Sequence, residues 1–260
     1  MPRYFLEVSY KGTNYSGFQS QHNANTIQAE IEKAFEILQK EKIIMTGSSR
    51  TDTGVHALQN FFHFDTNTPL SRKLSGWRGV RGEAEFAYKM NAILPEDIVV
   101  KKLIPVAEDA HCRFDAVSRE YKYYIYSHKD PFLMDRAFYF PYKLDIEILH
   151  QAALILKGYE DFTSFSKRNT QVKSFKCEIG ESEWYQENDC LVYRVKANRF
   201  LRGMVRALTA TMLKIGRKKM TLDQFRDIIE AKDCTKASFA VPSQGLFLVS
   251  VEYPPSLLGE

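Results

Sequence analysis

A chain of 260 residues that is 44% hydrophobic and 13% aromatic can bury a substantial core, as one large domain or as two related halves. It has no apolar run near the roughly 20 residues that cross a bilayer, and its opening MPRYFLEVSY lacks the apolar stretch of a secretory signal, so a cytoplasmic setting is expected. Lys and Arg number 36 against 32 Asp and Glu, a net charge of +4 that permits a nucleic-acid partner without indicating one.

Taken in chain order, RYFLEVSY at residues 3–10 alternates and predicts a strand, with Tyr4, Leu6 and Val8 on one face. KGTNYSGFQSQHNAN is a loop rich in Gly, Asn and Ser. Thr26 opens a helix whose apolar face carries Ile27, Ile31, Ala34, Phe35 and Leu38. Short strands are expected at 43–46 and 59–65, separated by the polar run SSRTDTG. The basic, glycine-bearing segment 69–82 reads either as a surface loop or as a phosphate-contacting arm. A helix at 84–94 stops before Pro95, and a strand follows at 98–104.

The second part repeats the theme. REYKYYIYS at 119–127 predicts a strand with Tyr121, Tyr123 and Ile125 on one face. Helices are expected at 145–157, 200–215 and 222–231, and strands at 175–184, 190–197 and 246–253. Strands neighbour one another in hairpin fashion rather than in strict βαβ alternation. The expected class is therefore α+β, two similar halves sharing a mainly antiparallel sheet, divided as 1–105 and 106–260, with a basic cleft where they meet.

The four cysteines form no C-x-x-C pair, so reduced buried thiols are expected and no metal. Neither G-x-x-x-x-G-K-[ST] nor G-x-G-x-x-G occurs, and no cofactor is signalled. Any chemistry falls to side chains alone. Four segments carry polar residues out of keeping with a plain core or surface: Arg50-Thr51-Asp52, Arg113-Phe114-Asp115 with Arg119 and Tyr121, Asp161-Phe162 with Phe165, and 198–206. On a helix from 200 onward, Arg199, Arg202 and Arg206 would share one face. Asp52 suits an ordinary turn, because Asp bonds its own backbone there. It also suits a carboxylate held ready to react. His56 and His63 are expected to be structural or RNA-adjacent rather than catalytic.

Seven segments together resemble the bacterial tRNA pseudouridine synthase A family: YKGTNYSGFQSQ, RTDTGVHA, MNAILPEDIVV, CRFDAVSREYKYYIY, YEDFTSF, NRFLRGMVR and VPSQGLFLVSVEYP, in this order and over nearly the whole chain. Ser49 stands where most members have Gly, and Cys112 where Ala is usual. The region from Trp77 to Gly82 has no clear counterpart.

The resemblance implies cleavage of the N1–C1′ bond of a tRNA uridine, rotation of the freed uracil and re-attachment through C5, without cofactor. It implies target positions thirty-eight, thirty-nine and forty in the anticodon stem-loop, and a homodimer that shares the tRNA. Residue by residue it implies that Asp52 is the nucleophile and that Arg50 touches RNA beside the target. Tyr121 would pack against the base, its hydroxyl a candidate to assist proton removal from C5. Arg206 would pair with Asp52, and Leu246 would line the pocket. Phosphate contacts are expected from Arg72, Lys73, Arg78 and Arg81, and from Lys214, Arg217, Lys218 and Lys219. Three competitors are a non-catalytic RNA-binding protein of the same fold, a relative in the same superfamily that modifies other RNA positions, and a nucleoside hydrolase. The first is disfavoured because Asp52, Tyr121 and Arg206 are all present, and the motifs argue against the second; the third would need a second carboxylate or a metal cluster.

Overall fold

The alternation in RYFLEVSY forms strand β1 (Arg3–Tyr10), the centre of the first of two compact units. The computed structural model describes residues 1–67, 70, 82–168 and 172–258. The first unit holds residues 1–117 and 248–260, the second 118–247. The basic segment at 69–82 lies outside the described residues except for Leu70 and Gly82.

In the first unit β1 lies between β3 (His56–Asp65) and β4 (Ile98–Val106), antiparallel to both. Strand β9 (Leu246–Glu252) follows beyond β3. Helices α1 (Ile27–Gln39) and α2 (Gly82–Ile93) pack on one face through Phe35, whose ring lies 5.2 Å from Phe64 and 5.9 Å from Phe86. The opposite face packs Phe5 and Phe61 on Tyr253, at 5.4 and 5.1 Å. Thr26 caps α1 by accepting the Ala29 N–H at 3.3 Å. The register sets Arg3 opposite Asp65, and the guanidinium grips the carboxylate with two hydrogen bonds of 2.8 Å.

The second unit pairs β5 (Ser118–Tyr126), β8 (Cys190–Ala197) and β7 (Ile179–Glu187) in antiparallel order, with a short parallel strand β6 (Phe138–Tyr139) on β5. It also holds α3 (Ile146–Ile155), α4 (Met204–Gly216) and α5 (Leu222–Glu230). Helix α4 is buried almost all round, and its two internal hydroxyls, Thr209 and Thr211, return their hydrogen bonds to carbonyls one turn back at 2.8 Å. A short helix α6 (Pro255–Leu258) ends the described chain.

The α+β class and the antiparallel pairing agree with the sequence reading, and several boundaries differ for identifiable reasons. The strand expected at 43–46 shrinks to β2 (Thr46–Gly47). Side chains of α1 occupy the Met45 backbone instead: Glu32 accepts its N–H and Gln28 donates to its carbonyl, both at 2.8 Å. The strand expected at 175–184 begins at Ile179, and Lys176 instead makes an isolated bridge to Asp161. Strand β6 and helix α6 have no counterpart among the expected elements.

His63, 7% exposed on β3, lies with Nδ1 3.2 Å from Cys112 Sγ, and its ring is 4.4 Å from that of His111. Burial, then the neighbouring His111 and Arg3, push its pKa down to about 4. An unfolded histidine titrates near 6.5, so below that pH the unfolded chain binds the extra proton. The stability this group contributes is complete above about pH 6.5 and is lost as pH falls towards about 4. The urea midpoint of the wild-type protein should therefore drop between pH 6.5 and 4.5 more steeply than that of His63→Gln. Parallel profiles for the two proteins would overturn this assignment.

Candidate active site

The polar run 48–54 is held from beneath. Ser48, Ser49 and Thr51 are buried, whereas Arg50 points to solvent and Asp52 is half-buried. Ser48 and Ser49 meet Asn60, a fully buried residue of β3. Its amide donates to Tyr10 Oη at 3.1 Å and to the Ser49 carbonyl at 2.9 Å. Its carbonyl oxygen accepts from Ser48 Oγ at 3.0 Å and from the Phe61 N–H at 2.9 Å. All four hydrogen-bonding sites of the side chain are thus used. The Tyr10 and Thr51 hydroxyls share a further bond of 2.8 Å, so the residue just before Asp52 is pinned to β1.

Asp52 then opens a turn: its carbonyl accepts the Val55 N–H at 3.2 Å, and Gly54 takes a φ of +76°. The loop 11–25 lies directly against this turn. A Cβ at Gly12 would sit 2.0 Å from the Val55 carbonyl oxygen, and Gly17, at φ +102°, would meet the Thr51 carbonyl at 3.2 Å. Only glycine permits that approach. His56 is 2% exposed, and its Nδ1 accepts the Gly12 N–H at 3.1 Å. It fastens the loop to the strand, as the structural reading of this histidine requires. Tyr15 and Asn14 both donate to the Asp97 carboxylate, tying the loop's other side to the segment before β4.

The second unit carries Tyr121, Arg206 and Leu246. Tyr121 on β5 is 8% exposed and meets Phe200 edge-on, ring centres 5.0 Å apart. Arg206, in the first turns of α4, donates from Nε and Nη2 to the Val241 carbonyl at 3.1 and 2.7 Å. Tyr123 donates to the adjacent Pro242 carbonyl at 2.6 Å, and its ring lies so close to Gly245 that a Cβ there would be 2.8 Å away. Arg206 and Tyr123 therefore fix the segment that leads into Leu246, itself buried, whose N–H closes a turn on Ser243. Sequence reasoning singled out neither Asn60 nor Tyr123, because nothing in their local pattern reports a partner distant in sequence.

The expected arginine stripe does not form. Helix α4 starts at Met204, and Gly203 precedes it at φ +76°, which breaks the helical path. Arg199 and Arg202 stand before the helix, and the Arg202 carbonyl accepts the Lys167 N–H at 3.0 Å. Asp161 accepts from the Thr163 N–H and hydroxyl and pairs with Lys232 at 3.2 Å. Burial alone would raise its pKa, but these bonds and the Lys232 ammonium hold it below the usual carboxylate value. Asp115 accepts the His111 N–H at 2.7 Å, and Arg113 lies over the exposed Phe114 ring. Among the described residues no group of three or more His, Cys, Asp or Glu is placed to hold a metal, and no helix is long and apolar enough to cross a membrane.

A family model described as tRNA pseudouridine synthase matches residues 7–115 and 152–254. The chain is 45% identical over 258 residues to tRNA pseudouridine synthase A of Parabacteroides distasonis, covering 99% of this chain and 98% of that one. It is 41% identical to the protein of that name from Bacteroides thetaiotaomicron, covering 100% and 94%. To that of Staphylococcus aureus it is 35% identical, covering 96% and 90%.

Asn60→Ala leaves Tyr10, Ser48 and Ser49 without their buried partner. The expected cost is about 2–4 kcal/mol of unfolding free energy, since the Ser49 carbonyl and Ser48 hydroxyl then bear a desolvation penalty that Asn60 had offset, while Tyr10 keeps its bond to Thr51. Urea unfolding followed by circular dichroism measures it, and a loss under about 1 kcal/mol would show that the turn is held otherwise.

Proposed function

The chain belongs to the tRNA pseudouridine synthase family, and from that premise we propose that it isomerises uridine to pseudouridine in the anticodon stem-loop of cytoplasmic tRNAs, at positions thirty-eight to forty. The carrying observation is the family match over residues 7–115, which contain the Arg50-Thr51-Asp52 run whose backbone the first unit pins through Asn60, Tyr10 and Gly54. A reacting carboxylate needs such a mounting, because it must meet a single carbon in a fixed direction.

A target uridine in a helical stem cannot react in place and is flipped out at a cost of a few kcal/mol. Asp52 then attacks ribose C1′. The C1′–N1 bond breaks and its electron pair stays on N1 of the departing uracil. The base turns within the pocket, C5 bonds to C1′ and the carboxylate leaves. The C5 proton is lost and N1 gains one, so the sum is an isomerisation. A single carboxylate suffices because no water is to be activated, in contrast to the pair a glycosidase uses. In this reading Tyr121 and Leu246 contact the flipped base, Arg206 also belongs to the uridine site, and the exposed Arg50 touches RNA beside the vacated position.

Asp52→Asn separates this reading from a turn-forming aspartate. Asn is among the best turn residues, so a structural Asp52 predicts retained activity. As nucleophile, its loss should reduce tritium release from C5-labelled uridine in tRNA to background, with the melting temperature and most of the tRNA affinity kept. Robust turnover by a well-folded Asp52→Asn protein would falsify the assignment.

A homodimer forms part of the same proposal, since twofold pairing is the usual way for a small chain to widen its grip on a long substrate. Light scattering should give a mass near twice the protomer's 30.1 kDa at micromolar concentration. A protomer mass there would overturn it.

A further inference from the structure

Residues 138–142 of the second unit, FYFPY, lead from β6 towards α3. Three of their rings form a ladder: Phe138 and Phe140 lie 5.4 Å apart, Phe140 and Tyr142 5.1 Å. Arg217, which caps α4, places its guanidinium carbon 3.7 Å from the centre of the Tyr142 ring and 5.9 Å from that of Phe140. The arrangement is mounted rigidly. The Phe140 N–H bonds to the Tyr126 carbonyl and the Asp145 N–H to the Gly216 carbonyl, each at 2.8 Å. Lys218 pairs with Asp145 at 3.2 Å.

Two properties set this patch apart from ordinary packing. Tyr142 is 50% exposed, so a large planar surface faces solvent. Arg217, Lys143, Lys214 and Lys219 also make no ion pair among the described residues, and the last three are exposed. A guanidinium stacked on rings and lacking a carboxylate keeps both its charge and its outer planar face available. A helix C-terminus draws cations by its dipole, which accounts for positive charge here but not for the Tyr142 ring lying under the Arg217 guanidinium.

We propose that Tyr142 and Arg217, backed by Phe140, form a stacking platform for an unpaired nucleobase of the tRNA, with Lys143, Lys214 and Lys219 holding the adjoining phosphates. Single-stranded nucleotides are held by this combination of planar faces and surrounding cations. The platform rests on the tRNA reading above but involves none of the residues assigned to the chemistry.

The test uses an unmodified tRNA transcript and the full-length protein, with filter binding across a series of salt concentrations. Stacking and charge leave different marks. Lys219→Ala should lower the slope of log affinity against log salt by about 0.7–0.9, the signature of one lost phosphate contact. Arg217→Lys keeps the charge and removes the plane. It should weaken binding about ten-fold at every salt concentration with the slope unchanged, as should Tyr142→Ala, whereas Tyr142→Phe should bind within about two-fold of wild type. Thermal melting controls for folding, and the conservative Arg217→Lys carries the test should Tyr142→Ala unfold. Wild-type affinity in Arg217→Lys would reduce Arg217 to a point charge and overturn the platform, as would wild-type affinity in a folded Tyr142→Ala. Tritium release by the wild-type protein is assayed in parallel: its absence would sink the pseudouridine reading, whereas normal release with unchanged variant binding would sink the platform alone.

Discussion

Burying an amide whole costs several kcal/mol unless every one of its hydrogen-bonding sites is answered, and Asn60 meets that demand with Ser48, Ser49, Tyr10 and its own neighbour Phe61. The constraint acts in both directions. The amide is satisfied only if 48–51 lies flat over β3, and 48–51 can lie there only if the amide receives it. Once the segment is seated, Thr51 closes on Tyr10 and the turn 52–55 has one course left to it. Loop 11–25 then packs on that turn through two glycines and the His56 ring. The half-exposed Asp52 thus sits at the end of a chain of contacts, each of which needs the one before.

The second unit solves the same mechanical problem with different chemistry. Its largely apolar α4 anchors the neighbouring segment at two points: Thr211 accepts the Ser238 N–H at 3.2 Å, and Arg206 in the first turn gives two N–H groups to a single carbonyl. Tyr123 takes the next carbonyl along, and burial pushes that phenol's pKa well above its ordinary value, so it remains a donor. Two adjacent carbonyls held from two different elements fix both the position and the direction of the chain entering Leu246. A single tether would leave it free to swivel.

What the sequence reveals of this follows from the range of each signal. The period of two in β1 and β5, and the apolar stripe with a Thr cap in α1, are local and read directly. The helix expected from residue 200 starts only at Met204, although Phe200 and Leu201 continue its apolar spacing towards Met204 and Val205. The break comes from the backbone of Gly203, which periodicity does not record. Strand β2 was overestimated because the Met45 backbone bonds to side chains one helix away, not to a neighbouring strand. Asp52 stood out through a specific motif. Asn60 did not, since an Asn inside a strand pattern merely lowers the expectation of a strand and names no partner.

The modest net charge conceals a division among the cations. Arg3 is bound bidentate by Asp65, and Arg194 is surrounded by Glu120, Glu181 and Glu183. These arginines lie on sheet faces, where an unpaired charge would carry a desolvation cost, and their carboxylates leave no positive field for a distant anion. Arg50 and Arg217 differ: neither makes an ion pair among the described residues, and Arg50 is exposed beside the Asp52 turn while Arg217 is stacked on rings. Pairing consumes charge for structure, so the cations left over determine what the surface attracts. In a protein with nearly balanced charge, a polyanion is drawn to those sites rather than to the molecule as a whole.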